Sequence, residues 1–192
     1  SIFTFNWGNS WATGESVASI FRTRLPATLT VMVPILILET VLGIVAAMAV
    51  AYVRGSLTDR SIMIITTVML SISFLVYIIV GQYLFGFLLG WFPVQGWSDS
   101  VWTNLGTYVP LPVLLAVMVG LAPQTRLYRT FFLDELGHDY VRTARAKGMG
   151  EKVVVLVHVL RNSLIPVVTV IALGVPSIFA GAIISAITTR RS

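Results

Sequence analysis

Four long apolar runs dominate the chain, at residues 25–53, 61–89, 108–122 and 164–187, with polar stretches between them. A run of roughly 20 apolar residues, coiled as a helix, crosses a hydrocarbon layer about 30 Å thick. At such lengths only α-helices satisfy their own backbone in lipid; barrel strands would show shorter segments alternating apolar and polar. The pattern predicts an all-α membrane protein, a polytopic helical bundle with about four spans. The third run is the shortest, and Pro110 and Pro112 leave the start of its helix open.

Composition points the same way. The 192 residues are 56% hydrophobic and 11% charged, under half the charged share of an average soluble domain, about 25%. The absence of cysteine removes disulfides, thiolate metal sites and cysteine nucleophiles. The net charge of +5 sits largely at the ends of apolar runs, where orientation in a membrane requires it, so lipid rather than nucleic acid is the expected contact. Residues 1–24 mix aromatics with Gly, Ser and Asn and read as an external or interfacial segment, and residues 25–192 as one transmembrane domain with a cytoplasmic insert at 124–163.

That insert sets the orientation. It holds Arg126, Arg129, Arg142, Arg145, Lys147, Lys152 and Arg161, seven of the thirteen basic residues, and the positive-inside rule assigns it to the cytoplasm. Counting back, "RGSLTDR" at 54–60 is cytoplasmic and residues 90–106 are external. The external stretch carries Trp91, Trp97 and Trp102, as an aromatic belt at the interface would. The scheme leaves Arg22, Arg24, Arg190 and Arg191 outside, the last pair against the rule.

Enzyme signatures are missing. "GMGEK" at 148–152 lacks the length and hydroxyl residue of a phosphate loop, and His138 and His158 have no metal-ligand spacing, so neither a metal nor a cofactor is expected. Glu39 lies well inside the first span, where a charge is costly unless it faces the bundle interior or protonates. It serves either as a hydrogen-bonded tie between helices or as a proton carrier or substrate contact. Tyr77 and Gln82, with Ser71 and Ser73, line a polar pathway or bond neighbouring helices. Gly43, Gly81, Gly86, Gly120, Gly174 and Gly181 permit close helix approach, and Pro34, Pro166 and Pro176 can kink their helices.

Within the insert, "DYVRTARAKGMG" at 139–150 predicts a short helix of about 12 Å. Asp139 is expected to cap its start and Gly148 to supply a left-handed stop. Tyr140 and Ala144 share one face with Val141 beside them, while Arg142 and Arg145 share another. Arg145 and Lys147 fall near the C-terminal end, where the helix dipole favours cations. So short a helix needs a support, either lipid headgroups or a groove on a soluble partner.

The stretch from "LGHDYVRTARAKGMGEK" through "HVLRNSLIPVVTVIALGVPSIFAGAII" resembles the signature region of permease subunits of bacterial and archaeal ABC importers, in the dipeptide, oligopeptide and nickel group. The general motif places EAA three residues before a Gly and an I-x-L-P cluster nine residues after it. Aligned on Gly148, only Ala144, Gly148 and Leu160 match that form, whereas the peptide-type variant is matched nearly throughout 139–148 and 158–166. "RLPATL", "RGSLTDR" and "GWFPVQGW" resemble the stretches flanking spans of the same family.

The resemblance implies a coupling helix in which Asp139, Tyr140, Arg142, Ala144, Arg145, Lys147 and Gly148 meet an ATP-hydrolysing subunit, with Ala144 and Gly148 letting the partner surface approach. It also implies a second permease subunit, an extracytoplasmic substrate-binding protein, a bacterial or archaeal inner membrane, and cargo that is a peptide or related small solute. The chain itself would hydrolyse nothing. Relative to the usual six spans, a first helix and a last are missing, and "SAITTRRS" replaces the family's acidic, aromatic continuation, so a piece of a longer chain is expected. Two rival readings are a stand-alone transporter or channel using Glu39, and a membrane scaffold that recruits a soluble protein through the insert.

Overall fold

The computed structural model describes residues 16–188, so the opening segment up to residue 15, together with Arg190 and Arg191, lies outside the described residues. The architecture is all-α, in the order α1 (Val17–Tyr52), α2 (Leu57–Ser71), α3 (Phe74–Gly81), α4 (Val101–Thr107), α5 (Pro110–Leu136), α6 (Asp139–Ala146), α7 (Glu151–Val153) and α8 (Leu160–Thr188). Gln82–Leu88 continues α3 as a π-helix, and a second π-helix, Val154–Val159, joins α7 to α8. Among the described residues three helical stretches are long and apolar enough to cross a membrane, Leu25–Tyr52, Pro110–Leu136 and Glu151–Pro176; α2 with α3 and its π-helical continuation makes a fourth if that pair is one span.

The spans reach further than their apolar runs. Ser16 caps α1, its hydroxyl accepting from the Ser19 amide at 3.1 Å, so the helix begins eight residues before the expected span. α5 starts at Pro110, where a missing N–H costs nothing because the first-turn amides have no helical partner. It then runs through Pro123 to Leu136, well beyond residue 122. The polar residues of 124–163 therefore sit mostly on helix ends.

The second apolar run is not one straight helix. α2 and α3 meet at 89° across Ile72 and Ser73. Hydropathy cannot register this break, because Ile72, Phe74, Leu75 and Val76 are as apolar as the helices on either side. The Tyr77 hydroxyl braces the corner by donating to the Met69 carbonyl at 3.0 Å. Ser71, read as a pathway residue, turns its hydroxyl onto the Thr67 carbonyl of its own helix.

α5 is the hub, touched by α1, α2, α3 and α8. It crosses α1 closely at Gly43, where a Cβ would lie 3.2 Å from the Tyr128 ring. Below that crossing Ala47, Ala51, Tyr128 and Phe132 form the main core; Val109, Val113 and Val117 form a second core toward the other end of α5. At that other end Asn104 pins the connection between α3 and α4. Its carbonyl accepts from the Ser98 amide at 2.7 Å and its own amide donates to the Ser98 carbonyl at 2.6 Å. Trp91, Trp97 and Trp102 stand exposed around this connection.

Candidate functional site

α6 packs on the π-helical turn that leads into α8. Its inner face is Val141 and Ala144, 0% and 6% exposed, packed among Ala51 of α1, Phe132 of α5 and the valines Val154 and Val159 before α8. The π-helical turn, closing i to i+5, accompanies the placing of those last two side chains, five residues apart, in the same core. Tyr140, half-buried, adds a polar tie: its hydroxyl donates to the Glu135 carboxylate at the end of α5 and also bonds the Asn162 side chain of α8. Burial first, then the bond to Glu135, raises the Tyr140 pKa, so the phenol stays protonated.

Both ends of α6 are defined by local chemistry. His138, extended at φ −73° and ψ 152°, is the residue before the helix, and Asp139 is its first residue. Asp139 therefore does not cap, contrary to the sequence expectation. Its exposed carboxylate lies 3.5 Å from Arg142 and near the helix N-terminus, where negative charge is favoured. At the other end the Met149 amide donates to the Ala144 carbonyl at 3.3 Å and the Gly148 amide to the Arg145 carbonyl at 2.9 Å. These are the paired bonds of a Schellman stop, and Gly148 holds the left-handed φ of +77° that the stop requires.

The expected contact residues separate into three groups. Arg142 and Lys147, with Thr143 between them, face outward and are exposed. Ala144 faces inward, so its small side chain serves the seat of α6 on this chain and is not on the outward surface. Arg145 is engaged within the chain: its Nε donates to Glu151 Oε2 at 3.0 Å and its Nη2 to Oε1 at 2.6 Å, and this bond raises its already high pKa. Beside that pair opens a cavity of about 490 Å³, lined among others by Met48, Arg54, Phe132 and Val155.

A second ion pair supports the same end of the bundle. Asp59, in the first turn of α2, accepts from Arg129 of α5 at 2.8 Å and from the Gly55 amide at 3.0 Å. Sequence reading missed Glu135, Asn162, Glu151 and the Asp59–Arg129 pair. The last two residues are 70 positions apart, and Glu151 is six residues beyond Arg145, outside any helical spacing.

Glu39, Tyr77 and Gln82 are only partly gathered. Glu39 lines a cavity of about 450 Å³ at the α2–α3 corner, with Met69, Leu70, Ile72, Phe74 and Gly120. Tyr77 bonds the backbone of Met69 on the same corner. Gln82 is in the π-helix and is not among the lining residues.

Several apolar spans, with the short amphipathic helix α6 seated beside the start of α8 and exposed on its other face, define a multi-pass α-helical membrane protein. Residues 39–191 match the profile of the binding-protein-dependent transport system inner membrane component, and the chain belongs to that family. It is 34% identical to the di/tripeptide transport system permease protein DppB of Pseudomonas aeruginosa, over 94% of this chain and 60% of that protein. It is also 34% identical to the dipeptide transport system permease protein DppB of Lactococcus lactis, over 95% of this chain and 59% of that protein. The chain thus spans about 60% of the length of these curated relatives.

Proposed function

We propose that the chain is a permease subunit of an ATP-driven importer in a bacterial or archaeal inner membrane, passing peptides or a related small solute. Its partners are ATP-hydrolysing subunits, a second permease subunit and an extracytoplasmic substrate-binding protein. The peptide assignment rests on the names of the two relatives; the ATPase assignment rests on the family and on α6.

One observation carries the coupling role: α6 packs on the π-helical turn that opens into α8, shares a buried core with Ala51 of α1 and Phe132 of α5, and is tied through Tyr140 to Glu135 and Asn162, while Arg142, Thr143 and Lys147 point away. A force applied to the outward side passes through Val141 and Ala144 into three spans, because a close-packed contact transmits displacement without absorbing it. ATP-driven closure of partner subunits would move α6 as a rigid piece and switch the spans between inward and outward access. In this reading Arg142 and Lys147 meet the ATPase, Asp139 orients Arg142, Tyr140 and Ala144 fix the seat, Arg145 holds the returning chain through Glu151, and Gly148 sets the stop. Residues 124–163 are the cytoplasmic region and 90–106 the external one.

The test is uptake by proteoliposomes containing the assembled transporter, with Gly148→Val compared with the wild type. ATP-dependent peptide uptake should fall about tenfold or more, a barrier change of about 1.4 kcal/mol, with membrane insertion unchanged. Undiminished uptake by an inserted Gly148→Val protein would sink the coupling role.

A further inference from the structure

The cavity at the α2–α3 corner combines features that the coupling role does not use. Glu39 is partly buried in the membrane portion of α1, and no hydrogen bond or ion pair reaches its carboxylate among the described residues. The arginines of α5 are committed elsewhere, Arg126 to the Thr67 hydroxyl at 3.3 Å and Arg129 to Asp59. Gly120 makes room for the carboxylate, which occupies the space a Cβ at that position would fill. The Tyr128 hydroxyl of α5 feels the charge of Glu39 but does not bond its carboxylate, so no helix tie is formed there among the described residues.

The backbone around the carboxylate is also electron-rich. The 89° corner interrupts the helix after Ser71, so the Leu70 and Ser71 carbonyls lose the amides of a continuing helix, while the Met69 carbonyl is taken by the Ile72 amide and the Tyr77 hydroxyl; that end carries the negative pole of the dipole. Leu70 and Ile72, on either side of the corner's start, both line the cavity. Across it, Pro123 has no N–H for the carbonyl of Val119, four residues earlier, and both of these line the cavity too. Broken helix ends and irregular backbone persist in a membrane where they line a cavity. The remaining walls, Met69, Phe74 and Ala116, are apolar.

We propose that Glu39, set in this cavity between the α2–α3 corner and Gly120, binds the primary ammonium group of a peptide during its passage. The proposal rests on the peptide-import reading and assigns it a subsite. An organic ammonium suits the place better than a hydrated metal ion, because one carboxylate and a few carbonyls take its N–H donors while the apolar walls take its carbon skeleton. At neutral pH a free peptide amine is largely charged, its ordinary pKa being about 7.7–8.0.

The experiment labels Glu39 with dicyclohexylcarbodiimide in membranes containing the assembled transporter, read by mass spectrometry of the peptide bearing residue 39. Alanyl-alanine amide should lower the labelling about tenfold or become coupled to Glu39, whereas N-acetyl-alanyl-alanine amide should do neither. Gly120→Ala, which fills the space under the carboxylate and keeps Glu39 itself, should weaken the protection. Equal protection by both probes, or none by either, overturns the proposal, as does labelling that responds to pH alone, which makes Glu39 a proton carrier. In a parallel uptake assay Glu39→Gln should lower the ratio of dialanine to N-acetyl-dialanine uptake about tenfold, the loss of one charge-assisted hydrogen bond. If the wild-type transporter takes up no peptide, the import reading fails while the labelling still reports on Glu39.

Discussion

Arg145 and Glu151 face each other across the turn after α6, joined by two parallel hydrogen bonds of 3.0 and 2.6 Å. The pair makes Arg145 a clasp on the returning chain, leaving Arg142 and Lys147 as the outward cations. Both side chains are over 40% exposed, so solvent screens much of the attraction. A double-mutant cycle with Arg145→Ala and Glu151→Ala, read by thermal unfolding in detergent, should give a coupling of about 0.5–1 kcal/mol. A coupling near zero would return Arg145 to the surface available to a partner.

Gly148 is required for its backbone angle, since open space surrounds the position where a Cβ would stand. Gly148→Asn should therefore be tolerated better than Gly148→Ala, which costs about 1–2 kcal/mol for an L-residue in the left-handed region. Melting of the two purified variants checks the order.

The seat of α6 should respond to volume in both directions. Val141→Ala removes two buried methyl-sized groups and should destabilise by about 1.6 kcal/mol at 0.8 kcal/mol for each. Ala144→Leu overfills a packed site and should cost about 1–3 kcal/mol. Both should lower ATP-dependent uptake and the melting temperature together, whereas Arg142→Ala, on the exposed face, should leave the melting temperature nearly unchanged.

Asp59 and Arg129 behave differently from the exposed clasp. Their side chains are 8% and 19% exposed, and Arg129→Ala leaves the carboxylate without its ion pair, held by the Gly55 amide and the more distant charge of Arg54. That single change should cost about 3–5 kcal/mol, and the paired change Asp59→Asn with Arg129→Gln distinctly less, because no buried charge is left alone. Unfolding midpoints of the two proteins give the comparison.

Much of this architecture was legible in the chain. The long apolar runs gave the helical membrane class, and the helix at 139–146 with its stop at Gly148 followed from the absence of breakers before that glycine. Three features were hidden for identifiable reasons. The corner at Ile72 and Ser73 lies in unbroken apolar sequence, so periodicity gave no sign of it. Asp139 looked like a cap because capping residues and first-turn acids are the same types; which role it takes depends on where His138 leaves the helix. Ala144 was assigned outward because a small residue suits any close contact, and only its burial in the core that also holds Ala51 and Phe132 gives its direction.

The proposed contact between the outward side of α6 and an ATPase subunit is open to direct test, because these 192 residues contain no cysteine. Single cysteines at Arg142, Ala144 and Lys147 would be labelled with a maleimide–benzophenone photo-crosslinker, which joins a thiol to any nearby C–H bond, in membranes containing the assembled transporter, and the adducts identified by mass. Arg142→Cys and Lys147→Cys should each cross-link to the ATP-hydrolysing subunit with a yield that changes on adding nucleotide, and Ala144→Cys should not. If the two outward cysteines take up a monofunctional maleimide freely yet form no adduct with any subunit, α6 does not couple this chain to an ATPase.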